Sequence, residues 1–167
     1  FSLQRPVRII WGMQSDYFTD ESLARFVTEP FSILPESDRM GYRIAGPRIE
    51  HQSGHDIVSD GIVTGAIQIP GTGNPIVLLA DHQTTGGYPK IATVISTDLP
   101  ALGRRRPGQE IHFELIEVEE AERIRRDREK ALCRLEASLE PIKSDVELDL
   151  DALYGNNLIS GAVGIEE

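Results

Sequence analysis

Short apolar runs rich in β-branched residues alternate with polar, glycine- and proline-rich breaks through the first two thirds of the chain. Residues 7–11, 42–45, 61–69, 76–80, 91–96 and 111–118 are each bounded by Gly, Pro, Asp or Asn, which predicts short strands. Gly71, Thr72, Gly73, Asn74 and Pro75 put small and left-handed-tolerant residues between two of these runs and predict a hairpin. A first helix is predicted over 20–27, capped by Thr19 or Asp20 and unable to continue through Pro30. A single helical turn is expected over 98–102, closed by Gly103. From 119 to about 139 the period lengthens, with Ala121, Ile124, Ala131, Leu132, Leu135 and Leu139 on one face of an amphipathic helix. Glu119 with Arg123 and Glu122 with Arg126 are i,i+4 pairs on its solvent side. The stripe predicts a helix packed across the sheet, with Cys133 near it, a coiled-coil contact being the alternative. Pro141 ends the helix.

This pattern gives a mainly β domain over 1–118, a helix over 119–140 packed on it and an acidic tail over 141–167. At 167 residues and 40% hydrophobic content the chain has material for one well-buried core. It begins at Phe1, as a cut or processed chain would. No apolar run reaches the ~18 residues of a membrane span and no signal segment opens the chain, so a cytoplasmic protein without membrane contact is expected. A single cysteine excludes an internal disulfide and a thiolate metal site. Of the net charge of −10, residues 140–167 hold seven acids against Lys143 alone, leaving −6 there. Such a balance disfavours nucleic acid as a partner. The tail is read as disordered or as docking on a partner. Arg104, Arg105 and Arg106 precede Pro107 and Gly108 and read as a solvated loop, an anion or partner contact being the alternative.

The densest polar chemistry lies in Asp81, His82, Gln83, Thr84, Thr85, Gly86, Gly87, Tyr88, Pro89 and Lys90, where two glycines allow close backbone approach to a ligand. Two other segments carry functional groups beyond what turns need. Ser37 to Arg43 holds the guanidinium forks of Arg39 and Arg43 with the Tyr42 phenol, although an ion pair from Asp38 to Arg39 or Arg43 would also explain it. Gly54 to Gly61 holds Ser59 and Asp60 just before the run that carries Gln68, with turn formation the alternative for Asp60 and Gly61. No phosphate loop, dinucleotide fingerprint, nucleophile elbow or zincin motif is present. His51 and His55 stand four apart but Ser53 and Gly54 break any helix between them, so they read as surface loop histidines, and no metal site is expected. His112 reads as structural.

SDRMGYR, GHDIVSDGI, GAIQIP and LLADHQTTGGYPKIATV, in this order, resemble the family of the 5-oxoprolinase C subunit, which also goes under the names allophanate hydrolase subunit 2 and biotin-dependent carboxyltransferase. The resemblance runs from about residue 7 to 139 and implies a cyclophilin-like β-barrel with a long C-terminal α-helix. It also implies the C-terminal half of a longer protein, because the family's TVQDxGRxGY-like segment does not occur here. The function implied is that of one component of an ATP-dependent 5-oxoprolinase, opening a small amide substrate. The partners implied are the missing N-terminal half, a protein like the B subunit of that enzyme and, in the full complex, its A subunit. Activity is not expected from this chain alone. ATP, with magnesium as its candidate counter-ion, belongs to the complex. The alternative branch is the carboxyltransferase part of a urea carboxylase or allophanate hydrolase system, which would bring biotin. A non-catalytic binding or regulatory module is a further alternative, and a prolyl isomerase a weaker one, since a fold does not carry its catalytic residues with it.

Chemically, the expected catalytic residues are Asp81 as base or metal-facing carboxylate, with Lys90 and Arg39 stabilising charge. The expected substrate-binding residues are Arg43, Tyr42, Gln68, Gln83, Thr84, Thr85, Gly86, Gly87, Tyr88, Ser59 and Asp60. Glutamine amides answer both the donor and the acceptor of a substrate amide.

Overall fold

Among residues 5–139, which the computed structural model describes, the chain first runs through β1 (Val7–Trp11), a 3-10 turn (Ser15–Tyr17), α1 (Asp20–Thr28), β2 (Phe31–Ile33) and β3 (Gly41–Ala45). It continues through β4 (Asp60–Gly61), β5 (Ala66–Gln68), β6 (Ile76–Leu78), β7 (Thr85–Gly86) and β8 (Lys90–Val94). After α2 (Leu99–Leu102) come β9 (Glu110–Ile111), β10 (Phe113–Leu115) and α3 (Val118–Ala137). The acidic tail lies outside the described residues. Two compact units divide the chain, 1–131 and 132–167.

Eight strands form one sheet in the order β10-β1-β8-β5-β6-β3-β2-β9, and β4 with β7 makes a separate two-stranded ribbon. The end strands of the large sheet are consecutive in sequence. β9 pairs antiparallel with β2, and β10, one residue further on, pairs parallel with β1. One bent segment thus serves both edges, nearly closing the sheet into a barrel and removing free edges. Apolar side chains from alternate strand positions fill the inside: Ile9, Ile44, Ile67, Ile91 and Ile111 are fully buried.

Helix α1 is built as predicted. The Thr19 hydroxyl accepts from the Ser22 N–H at 3.2 Å, satisfying one of the orphan donors of the first turn. Its apolar face carries Phe26 onto Phe113, stacked at 4.7 Å and 12°, and onto Phe31 at 5.4 Å. Burying a phenyl ring of this kind stabilises by about 1.5–3 kcal/mol. The predicted hairpin also forms, since β5 and β6 pair antiparallel around residues 71–75.

Other expectations are corrected. The run 61–69 is not one strand: Gly65 takes φ +92°, which breaks the extended chain before Ala66. β2, three residues following Pro30, is too short to show a period and exists through its pairing with β3 and β9. Helix α3 forms, yet no residue of it is buried, and only Ala121, Ile124 and Arg128 are half-covered. Within residues 118–131 the apolar stripe is thus only half-covered, and Leu132, Cys133 and Leu135 belong to the second unit. The Glu122–Arg126 pair forms at 3.1 Å, whereas Arg123 pairs with Glu120 instead of Glu119. Among the described residues no helix is long and apolar enough to cross a membrane.

Candidate functional site

The ribbon of β4 and β7 draws two of the polar segments together. Asp60 pairs with Gly86 and Gly61 with Thr85, while the Ile57 N–H donates to the Gly87 carbonyl at 2.8 Å and the Ile62 N–H to the Thr84 carbonyl at 3.0 Å. Residues 57–62 therefore lie along residues 84–87. Ser59 sits at the ribbon's edge, its hydroxyl 3.8 Å from where a Cβ on Gly87 would stand.

This pairing aims the Asp60 carboxylate at Lys90, the first residue of β8. The Lys90 ammonium donates to Asp60 Oδ2 at 3.0 Å. Lys90 is 8% exposed, so its charge is held largely out of water by one half-exposed partner. The hydrogen bond from Lys90, followed by that from the Gly61 N–H, holds the Asp60 carboxyl below the usual aspartate range. Backbone packing fixes the lysine from behind: a Cβ on Gly12 would come 2.2 Å from the Lys90 carbonyl oxygen. Gln14 Oε1 also accepts the Lys90 N–H at 3.3 Å, a contact across 76 residues that no local pattern announces.

Gln68 is the register partner of Lys90 across an irregularity between β5 and β8. It is 1% exposed, and its Nε2 has no hydrogen-bond partner among the described residues. A buried amide with unspent donors is costly unless a water or a ligand meets it. Nε2 lies against Gly86, where a Cβ would stand 2.7 Å away, so only glycine leaves the amide its room.

A cleft of about 540 Å³ opens beside this cluster. Its polar lining includes Arg43, Gln68, Gln83 and Tyr88 together with the carboxylates of Glu36 and Asp38, with Ile44 and Ile76 among its apolar side chains. The structure thus brings Arg43, Gln68, Gln83 and Tyr88 to one cleft and places Asp60, Thr85, Gly86, Gly87 and Lys90 in and beside the ribbon. Thr84 joins through its backbone carbonyl.

The remaining candidates are placed differently. Arg39 binds Asp81 through both guanidinium branches, Nε to Oδ2 at 2.6 Å and Nη2 to Oδ1 at 3.1 Å, and neither residue lines the cleft. The hydrogen bond from Arg39 holds the Asp81 carboxyl below its ordinary range, which makes it a weak base at neutral pH. Asp38 forms no ion pair with Arg39 or Arg43. Instead, its carboxylate accepts from the Met40 and Gly41 N–H groups, as a turn residue does. Tyr42 is removed from the cleft by strand alternation, and its hydroxyl lies 3.1 Å from the Gly103 carbonyl oxygen and 3.0 Å from that of Arg105.

The histidines follow local packing. His51 is half-buried with its Nε2 3.0 Å from the Ile69 carbonyl, more enclosed than a surface loop residue, and burial lowers its pKa. Among the described residues no three His, Cys, Asp or Glu side chains gather where a metal ion could sit.

The carboxyltransferase domain family, subdomain A and B, matches residues 2–115 of the chain. The C subunit of 5-oxoprolinase from Haemophilus influenzae is 39% identical over 127 residues, covering 76% of this chain and 41% of that protein. Its counterpart from Escherichia coli, likewise a 5-oxoprolinase C subunit, is 37% identical over 124 residues, covering 74% and 40%. The chain therefore spans about two fifths of the length of these curated relatives. The crystal structure of Kluyveromyces lactis urea carboxylase superposes with a TM-score of 0.73 at 21% identity, over 81% of this chain and 13% of that one, a likeness of fold.

Proposed function

The chain belongs to the carboxyltransferase domain family, subdomain A and B, and from that premise we propose that it supplies one wall of the substrate site in an ATP-dependent 5-oxoprolinase assembly. What brings the proposal to named residues is the Gln68 amide, buried beside the cleft with its Nε2 unspent. A lactam offers a carbonyl acceptor and an N–H donor on one edge, and a primary amide answers both. A substrate entering beside the ribbon gives Nε2 the acceptor that the protein withholds.

Lys90, held by Asp60 beside the cleft and not among its lining residues, supplies the positive field that stabilises the negative charge growing on the lactam oxygen as the ring opens. Arg43, exposed on the cleft wall, suits the substrate carboxylate as a fork donor. Arg39 and Asp81, paired with each other, position the loop instead of acting on substrate. ATP, its magnesium ion and the opposite wall belong in this reading to partner proteins and the rest of a longer chain. No step on the nucleotide is assigned to these residues.

The test is Gln68→Leu in the reconstituted full-length complex. Replacing a buried unsatisfied amide with an apolar side chain of similar size leaves stability unchanged or raises it. The same change should lower kcat/KM for 5-oxoproline by about tenfold or more. A variant that loses stability while keeping full turnover would make Gln68 a packing residue and remove the proposal's basis.

A further inference from the structure

A second cleft, of about 270 Å³, shares no lining residue with the first. Four arginines, Arg5, Arg8, Arg105 and Arg128, line it with only two carboxylates, Asp98 and Glu114, in a chain that is acidic as a whole. The arginines are not equivalent. Arg8 is spent on Asp98, Nε to Oδ2 at 2.9 Å and Nη2 to Oδ1 at 2.6 Å. Arg128 donates to the Thr97 carbonyl at 2.7 Å and has no carboxylate partner within ion-pair distance among the described residues.

Arg105 is the unusual member. Read from sequence as part of a solvated loop, it is 6% exposed. Its two amino groups donate to the carbonyls of Glu110 at 2.7 Å and Arg5 at 2.6 Å, and its Nε has no partner among the described residues. No carboxylate among the described residues forms an ion pair with it. A buried cation that no carboxylate pairs directly is expensive even with the charge of Asp98 acting on it from further off, and an anionic ligand would supply the missing contact. The carbonyls it holds close the loop 105–110 onto the start of β1, so the guanidinium is fixed in place before any ligand arrives.

We propose that this cleft binds a small oxyanion carrying two negative charges, a phosphate or a compact dicarboxylate. The two-charge excess of the lining sets the ligand's charge. The volume sets its size, and Arg5 with Arg128 supply fork donors at the mouth while Arg105 supplies field from below. The site is independent of the lactam cleft, so either proposal can fail without the other.

The experiment titrates the full chain with sodium phosphate and separately with sodium succinate at matched ionic strength. Calorimetry is read alongside the Arg105 Nε–Hε resonance. Saturable one-to-one binding that moves that resonance is expected, with the tighter of the two anions identifying the source chemistry. Arg5→Ala combined with Arg128→Met should weaken binding by about tenfold or more. Glu114→Gln, at an exposed position, should tighten it severalfold by removing a repelling carboxylate. Absence of saturable binding with either anion would overturn the proposal, as would unchanged affinity in the double variant, an unmoved Arg105 resonance, or no tightening with Glu114→Gln.

Discussion

Two glycines separate what the site costs from what the fold costs. At Gly12 a Cβ would collide with backbone, the Lys90 carbonyl oxygen at 2.2 Å. Gly12→Ala should therefore lose about 2–3 kcal/mol, read as a fall in the urea midpoint. At Gly86 the obstacles are side-chain ends, Ile62 Cδ1 at 2.6 Å and Gln68 Nε2 at 2.7 Å, which can swing aside. Gly86→Ala should leave the midpoint nearly unchanged while displacing the amide and lowering 5-oxoproline turnover in the complex. Asp98 shows a third kind of cost. Burial raises its pKa, but hydrogen bonds from the Arg8 side chain and backbone outweigh that and hold it below the ordinary 3.8. Its contribution is present above that ordinary value and is lost as pH falls through the lower folded value. Asp98→Asn should cost about 1–2 kcal/mol near neutral pH, a figure reduced for partial solvent access, and the difference from wild type should shrink below pH 3.8. Residue chemistry is legible in sequence where local turn chemistry decides it, as for Asp38, whose carboxylate accepts from the Met40 and Gly41 N–H groups. It is not legible for Arg105, whose burial depends on carbonyls of Glu110 and Arg5, or for Tyr42, whose direction is decided by strand alternation.

At the scale of elements, the turns and caps are the most readable features because their chemistry is local. Thr19 before an amphipathic run predicts the start of α1, and Gly71 to Pro75 predicts the β5–β6 hairpin. Thr19→Ala should lower stability by about 1 kcal/mol, seen as a shift in thermal midpoint of a few degrees. Elements defined by distant partners are less readable. β4 and β7 are two residues each and exist because residues 57–62 and 84–87 find one another. That pairing has no periodic signature, although it is the ribbon that brings Asp60 to Lys90. Helix α3 is readable as a helix, but not how little of its face over residues 118–131 is covered. Periodicity reports which face is apolar, whereas burial depends on whether anything meets that face.

For the whole molecule, the barrel closes because a single segment, residues 110–115, pairs with β2 at one end and β1 at the other. This closure holds β8, β5 and β3 rigidly in register and so fixes Lys90, Gln68 and Arg43 with respect to one another. A rigid sheet presenting a polar wall is well suited to preorganised charge stabilisation, in which the donors do not have to reorient as the reaction proceeds. One wall is what the proposal assigns to this chain, which spans about two fifths of its curated relatives. The most direct test is ATP hydrolysis coupled to 5-oxoproline in the reconstituted full-length complex, comparing wild type with Lys90→Met. Turnover that depends on 5-oxoproline is expected, falling by about a hundredfold in the variant. A complex that turned over urea and not 5-oxoproline, or a Lys90→Met variant as fast as wild type, would contradict the assignment.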